Sequence, residues 1–158
     1  MTAPDATADP PAALATYATV EIGDQLFGIP IEHVLDVFVV TCLTRVPLAP
    51  PEIAGLVNLR GRVLTMLDMR QRLGLPARPD QARRLAVGIE HRGESFGLIV
   101  DAVGDVMQLA AADLEPNPVH LDRRWAQLSR GIHPLSPRLL VVMDVEAALA
   151  PDRAALAA

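Results

Sequence analysis

The sequence predicts an all-β protein made of two small barrels packed against each other. The strongest sign is internal repetition. Residues 27–37, Phe-Gly-Ile-Pro-Ile-Glu-His-Val-Leu-Asp-Val, return at 96–106 as Phe-Gly-Leu-Ile-Val-Asp-Ala-Val-Gly-Asp-Val, a gapless offset of 69. Gly55, Arg62, Leu64 and Asp68 then return as Gly131, Arg138, Leu140 and Asp144, at an offset of 76. Two copies are too few for a solenoid or a propeller, so the repeat points to paired subdomains. The third sign is a run of short alternating or β-branched segments with Gly- and Pro-rich turns between them, as small antiparallel barrels require. Each unit of roughly 65–70 residues would be marginal alone, so the two should share an interface.

Along the chain, residues 1–16 are rich in Ala, Pro, Asp and Thr and read as a disordered tail. Thr19–Ile22 and Leu26–Ile31 flank the turn Gly23-Asp24-Gln25 as a hairpin, repeated by 86–90 and 96–101 around Arg92-Gly93-Glu94. Val34–Val40 is apolar and β-branched. Residues 46–51 hold three prolines and should be extended. A strand is expected over Val63–Leu67. Asp68 is then placed to cap a short helix over Met69–Leu73, which Gly74 and Pro76 end. The second copy repeats this with a strand over 139–143, Asp144 as cap and a helical turn over 145–149. Residues 77–84 read as the linker, 121–128 as a short helix and 151–158 as a tail.

The hydrophobic share is 51% and the aromatic share 3%, so the core must be aliphatic and offers few rings for stacking on bases. A net charge of −5, from 14 basic and 19 acidic residues, argues against nucleic-acid binding, which needs a basic face. The single Cys42 excludes an internal disulfide and suits a reducing compartment. No signal-peptide pattern and no apolar run of about 18–20 residues is visible, so no membrane insertion is expected. A cytoplasmic protein is expected.

Chemistry is sparse. Serines occur only at 95, 129 and 136, without a nucleophile-elbow pattern. His33, His91, His120 and His133 are scattered without metal-ligand spacing. Asp101 and Asp105 lie four apart on a strand, but Glu32 and Asp36 occupy the same repeat positions, which favours a structural or partner-facing role over an acid/base pair. There is no phosphate-binding loop. Arg72, Arg78, Arg83 and Arg84 form a modest basic stretch that reads as a solvated face. No catalytic residue, metal or cofactor is expected. The remaining feature is Asn58-Leu59-Arg60-Gly61. Gly61 permits a turn with positive φ, and Arg60 then projects from a hairpin tip, where its rigid fork of donors suits a carboxylate partner.

Two stretches, Gly55–Leu64 (Gly-Leu-Val-Asn-Leu-Arg-Gly-Arg-Val-Leu) and Leu67–Gly74 (Leu-Asp-Met-Arg-Gln-Arg-Leu-Gly), resemble the CheW family of chemotaxis coupling proteins. So do Val34-Leu35-Asp36-Val37 leading to Val46-Pro47-Leu48-Ala49-Pro50, the segment 100–106, and Leu139–Asp144. The resemblance runs from about residue 17 to 150. It implies two SH3-like five-stranded barrels around a shared hydrophobic core, with short helices. The first barrel would lie mainly in 30–85 and the second mainly in 86–145, with terminal segments free to cross over. It implies a non-catalytic adaptor that bridges the tips of methyl-accepting chemoreceptors to the regulatory domain of the histidine kinase CheA, at membrane arrays reached through its partners. In this resemblance Arg60 matches an arginine implicated in receptor coupling, and Asp36 an acidic position that is usually Glu. Asn58, Leu59 and Gly61 complete the partner-facing turn. The receptor tip would lie in an apolar groove between the barrels, rimmed by Arg60. Thr65 stands where the family commonly has Pro. An adaptor of a non-flagellar chemosensory pathway and a small-ligand-binding β-barrel are the alternative readings.

Overall fold

A computed structural model describes residues 13–76, 84–135 and 137–149. Most of the expected N-terminal tail, nearly all of the linker and the C-terminal tail lie outside the described residues. The strands are β1 (Leu14–Ile22), β2 (Gln25–Pro30), β3 (Val34–Val39), β4 (Ile53–Leu59), β5 (Arg62–Asp68), β6 (Leu85–His91), β7 (Glu94–Val100), β8 (Ala102–Ala110), β9 (Ser129–Pro134) and β10 (Leu139–Met143). Three short α-helices accompany them among the described residues: α1 (Met69–Arg72), α2 (Arg123–Gln127) and α3 (Val145–Leu149). Residues 14–16, expected in the tail, belong to β1, where they pair with 108–110 of β8.

Local chemistry explains the element ends. In the hairpins β4–β5 and β6–β7 the central pairs Arg60-Gly61 and Arg92-Gly93 each take φ of 53° and 81°, the signature of type I′ turns. The Asp68 carboxylate accepts the Arg70 and Gln71 N–H groups and starts α1. Asp122 accepts from Arg124 at the start of α2, and Asp144 from Ala147 in α3 at 3.1 Å. The proline-rich stretch is not simply extended. It turns at Pro47-Leu48, where Leu48 takes φ +64° and Ala49 donates back to the Val46 carbonyl at 3.4 Å. Proline at the first central position of a turn supplies the reason.

The strands form two five-stranded sheets, ordered β3-β6-β7-β5-β4 and β8-β1-β2-β10-β9. Each order is the other shifted by one repeat. In both, the parallel contact lies between the hairpin and the strand before a capped helix: β5 on β7, and β10 on β2. The chain beyond β3 closes the first sheet: Thr44 and Leu56 exchange N–H···O bonds of 2.9 and 2.7 Å. Glu115 and Ile132 close the second sheet with two bonds of 2.8 Å. At both closures a glycine admits the approaching backbone, Gly55 at φ +150° and Gly131 at φ +147°.

This topology corrects the expected division near residue 85. The hairpin β6–β7 belongs to the first barrel, and β1–β2 to the second. Each repeat therefore lends its leading hairpin to the other. A single central cluster follows from that exchange: Val20, Ile22, Phe27 and Ile29 pack with Leu67, Met69, Val87, Leu98, Val141 and Met143, drawn from both sheets. Smaller clusters fill each barrel, around Val57, Leu64, Met66, Ala86 and Ile99 in one and Tyr17, Leu140 and Val142 in the other.

Asp144→Ala removes the oxygen that caps α3 and should cost about 1 kcal/mol, whereas Asp144→Asn, which keeps an acceptor, should be nearly neutral. Urea midpoints of the two variants check this; equal midpoints for Ala and wild type would exclude the cap.

Candidate partner-binding site

The first barrel carries its most distinctive surface at the β4–β5 tip. Asn58, at the end of β4, accepts the Gly61 N–H on Oδ1 at 3.1 Å and stiffens the turn from within. The type I′ geometry places Arg60 outside the sheet, with its side chain 78% exposed. Its Nη1 reaches back 2.6 Å to Oδ2 of Asp36 on β3, while Asp36 Oδ1 accepts the Val37 N–H at 2.8 Å. Two residues singled out separately in the sequence are thus one ion pair across the open end of a barrel. Beside it lies a cleft of about 290 Å³ lined by Leu35, Asp36, Leu59, Arg60, Arg62, Leu64 and Gly88. All of these belong to the first sheet and its turn, whereas the expected groove lay between the barrels. Leu35 and Val37, the chain neighbours of Asp36 on β3, are both exposed, next to a bulge between Val34 and Asp36, and make an apolar shoulder. Leu35, Arg62, Leu64 and Gly88 were not read as site residues, because Val34–Val39 is an apolar run without a period-2 pattern that would single out Leu35.

Other charged residues do structural work. Arg70 Nη2 lies 2.8 Å from Asp101 Oδ2, which also accepts the Gly23 N–H at 2.7 Å. That hydrogen bond raises the Arg70 pKa further above its ordinary value, so the guanidinium stays charged. Asp101 is half-buried after β7, while Asp105 is exposed on β8. Arg72 donates from Nη2 to the Ala147 carbonyl at 2.8 Å, so it is no part of a solvated basic face. Burial, with Glu32 adding and Arg130 opposing, pushes the Tyr17 hydroxyl above its ordinary pKa. His33 and His91, distant in sequence, come to 5.7 Å between ring centroids. Among the described residues no group of three or more His, Cys, Asp or Glu side chains is placed to hold a metal ion. No helix among them is long and apolar enough to cross a membrane. Thr65 lies on β5 between two partners, Leu56 and Phe96, where a proline would forfeit a ladder N–H.

Two closed barrels fused through one core, with an ion-paired hairpin tip on the first, define a double SH3-like β-barrel protein. A family model described as "CheW-like domain" matches residues 16–152, and the chain belongs to that family of chemotaxis scaffold proteins. It is 32% identical over 126 residues to a probable chemotaxis protein CheW of Rhizobium etli, covering 80% of this chain and 81% of the relative. It is 29% identical to chemotaxis protein CheW of Helicobacter pylori over 131 residues, 83% of this chain and 79% of that one. Among solved structures it is similar to the scaffolding protein TtCheW from Thermoanaerobacter tengcongensis, with a TM-score of 0.73, 25% identity and coverage of 84% of this chain and 90% of that one.

Proposed function

We propose that this protein is a non-catalytic adaptor of the cytoplasm that couples chemoreceptors to the histidine kinase CheA within a chemosensory array. The observation that carries the reading is the Arg60–Asp36 pair held over an apolar-walled cleft at a stiffened hairpin tip. Such a tip presents a guanidinium fork and a carboxylate close to the exposed Leu35 and Val37 of β3. That set fits a helical receptor tip: apolar side chains on the shoulder supply burial, and polar groups fix the register. Asn58 and Gly61 shape the turn, and Leu59 lines the cleft below it. The kinase regulatory domain would use barrel surfaces away from this tip. Weak individual contacts suffice, because an array raises the effective concentration of each partner.

Arg60→Ala tests the site. An exposed pair contributes about 0–1 kcal/mol to folding, so the melting curve should stay close to wild type. Binding to a purified receptor-tip fragment should weaken by about 1–3 kcal/mol, roughly 5- to 150-fold, as for an interface anchor. Pull-downs with receptor tip and kinase regulatory domain, each run separately, make the comparison. Unchanged receptor capture by a well-folded Arg60→Ala protein would remove Arg60 from the interface.

A further inference from the structure

The cleft beside the Arg60–Asp36 pair is open because Gly88 carries no side chain. Strand β6 pairs with β7 without a bulge, so Gly88 shares a face with Ala86, which packs in the cluster inside the first barrel. Across the sheet Gly88 lies opposite Asp36 of β3. A β-carbon there would meet the Phe38 ring and the Asp36 carbonyl oxygen at 3.6 Å, an ordinary contact. The backbone therefore does not require glycine at this position; glycine leaves room that a larger residue would fill. The repeat supplies the contrast. Thr19 of the second barrel stands 69 residues before Gly88, at the equivalent place. It is buried, and its Oγ1 donates to the Asp105 carbonyl at 2.6 Å. A β-carbon on Gly104, the counterpart of Leu35, would meet that same oxygen at 2.6 Å. Thr19 thus fills in the second barrel what Gly88 leaves free in the first.

We infer that this cleft receives one large apolar side chain from the receptor-tip helix, beside an acidic residue of that helix that meets Arg62. The inference rests on the reading of the Arg60 tip as the receptor-facing site. Leu35, Leu59 and Leu64 supply apolar walls, and Leu64, 1% exposed, belongs to the barrel's own core. A protein cavity of about 150 Å³ already holds a benzene ring, so about 290 Å³ has room for an aromatic or leucine-sized anchor. Charge selects what stands next to it. Two guanidiniums line the cleft against one carboxylate, and that carboxylate, Asp36, is committed to Arg60. Arg62 is held loosely, 3.9 Å from Glu90 and 3.3 Å from the Ser95 hydroxyl, so it is available to a partner carboxylate. A desolvated apolar anchor provides affinity, and the arginine rim provides register. Gly88 makes the first barrel the one that can be entered.

Gly88→Val plugs the cleft and leaves the Arg60–Asp36 pair in place. Valine suits a strand, so the melting midpoint should stay near wild type. Affinity for a purified receptor-tip fragment should fall about 10-fold or more, while affinity for the kinase regulatory domain should not change. Gly88→Ala, whose added carbon meets only ordinary contacts, should give a smaller loss of the same sign. Alanine substitutions along the receptor fragment then locate the anchor. One apolar position should lose about 10-fold against wild type and little against Gly88→Val; a neighbouring acidic position should show the same coupling to Arg62→Gln. Arg60→Ala is measured alongside. Wild-type receptor affinity in a folded Gly88→Val protein, with Arg60→Ala weakened, overturns the cleft inference alone. Wild-type affinity in both variants overturns the reading of the tip as well. Equal loss of receptor and kinase binding would mark a general disturbance and also overturn the inference. If Gly88→Val does not fold, Gly88→Ala and the receptor scan decide, and a scan with no apolar position coupled to residue 88 overturns it.

Discussion

Phe27→Ala should cost this protein about 3–5 kcal/mol, the usual range for deleting a fully buried ring. Phe27 lies on β2 with no solvent exposure, and its ring sits 5.8 Å from Trp125 of α2 in a tilted contact. It belongs to the cluster that both barrels share, beside Leu67, Met69, Val87 and Leu98 of the first. The cavity would open at the joint between the barrels, where neither one can collapse without shifting the other. Against a total stability of about 5–15 kcal/mol for a typical domain, that loss brings the variant close to unfolding. Its repeat counterpart, Phe96, is only partly buried at the edge of the same cluster. Phe96→Ala should therefore cost less. Urea unfolding of the two variants gives the comparison, and a larger loss from Phe96→Ala would mean that the shared core is centred elsewhere.

Gly55→Ala is the second large effect. A β-carbon at Gly55 would stand 2.4 Å from the Thr44 carbonyl oxygen, and the residue holds φ +150°, where L side chains are strained. The obstructing atom is backbone, so no rotamer change relieves the contact. Either the Thr44–Leu56 bridge opens or β4 moves away from its closing segment. Backbone strain and the lost closure together should cost about 2–4 kcal/mol. Gly131→Ala should behave alike, since its added carbon would meet the Glu115 carbonyl oxygen at 2.6 Å. Gly61→Ala should be milder, because its φ of +81° strains the turn but nothing stands within 4 Å of the added carbon. Differential scanning calorimetry ranks the three. A Gly55→Ala protein that melts with wild type would show that the barrel is not closed at this bridge.

Much of this fold was legible along the chain because its signals are local. A β-branched apolar run marked β3, and Asp68 and Asp144 stand where a short helix must find an acceptor for its first N–H groups. The turn at Arg60-Gly61 was readable because only a residue without a β-carbon adopts its φ freely. The turn at Leu48 was missed: a leucine at φ +64° runs against local preference, and proline before it outweighed that preference. The candidate site was half visible. Arg60 and Asp36 each drew notice, but their 2.6 Å pairing depends on β3 and the β4–β5 tip meeting across a barrel end, which no spacing of 24 residues reports. Arg70 and Asp101 are a harder case, since one reads as helix surface and the other as strand, and only packing joins them.

The sequence by itself determined that one β unit is used twice, where most of its strands and the caps Asp68 and Asp144 fall, and that the interior must be aliphatic. The tertiary structure alone decided which hairpin enters which barrel. The two hairpins share their strand pattern and the Phe-Gly of their second strands, so local preference does not choose between the assignments. The choice falls to contacts distant along the chain: the parallel ladders β5·β7 and β2·β10, and the burial of Phe27 between two sheets at once.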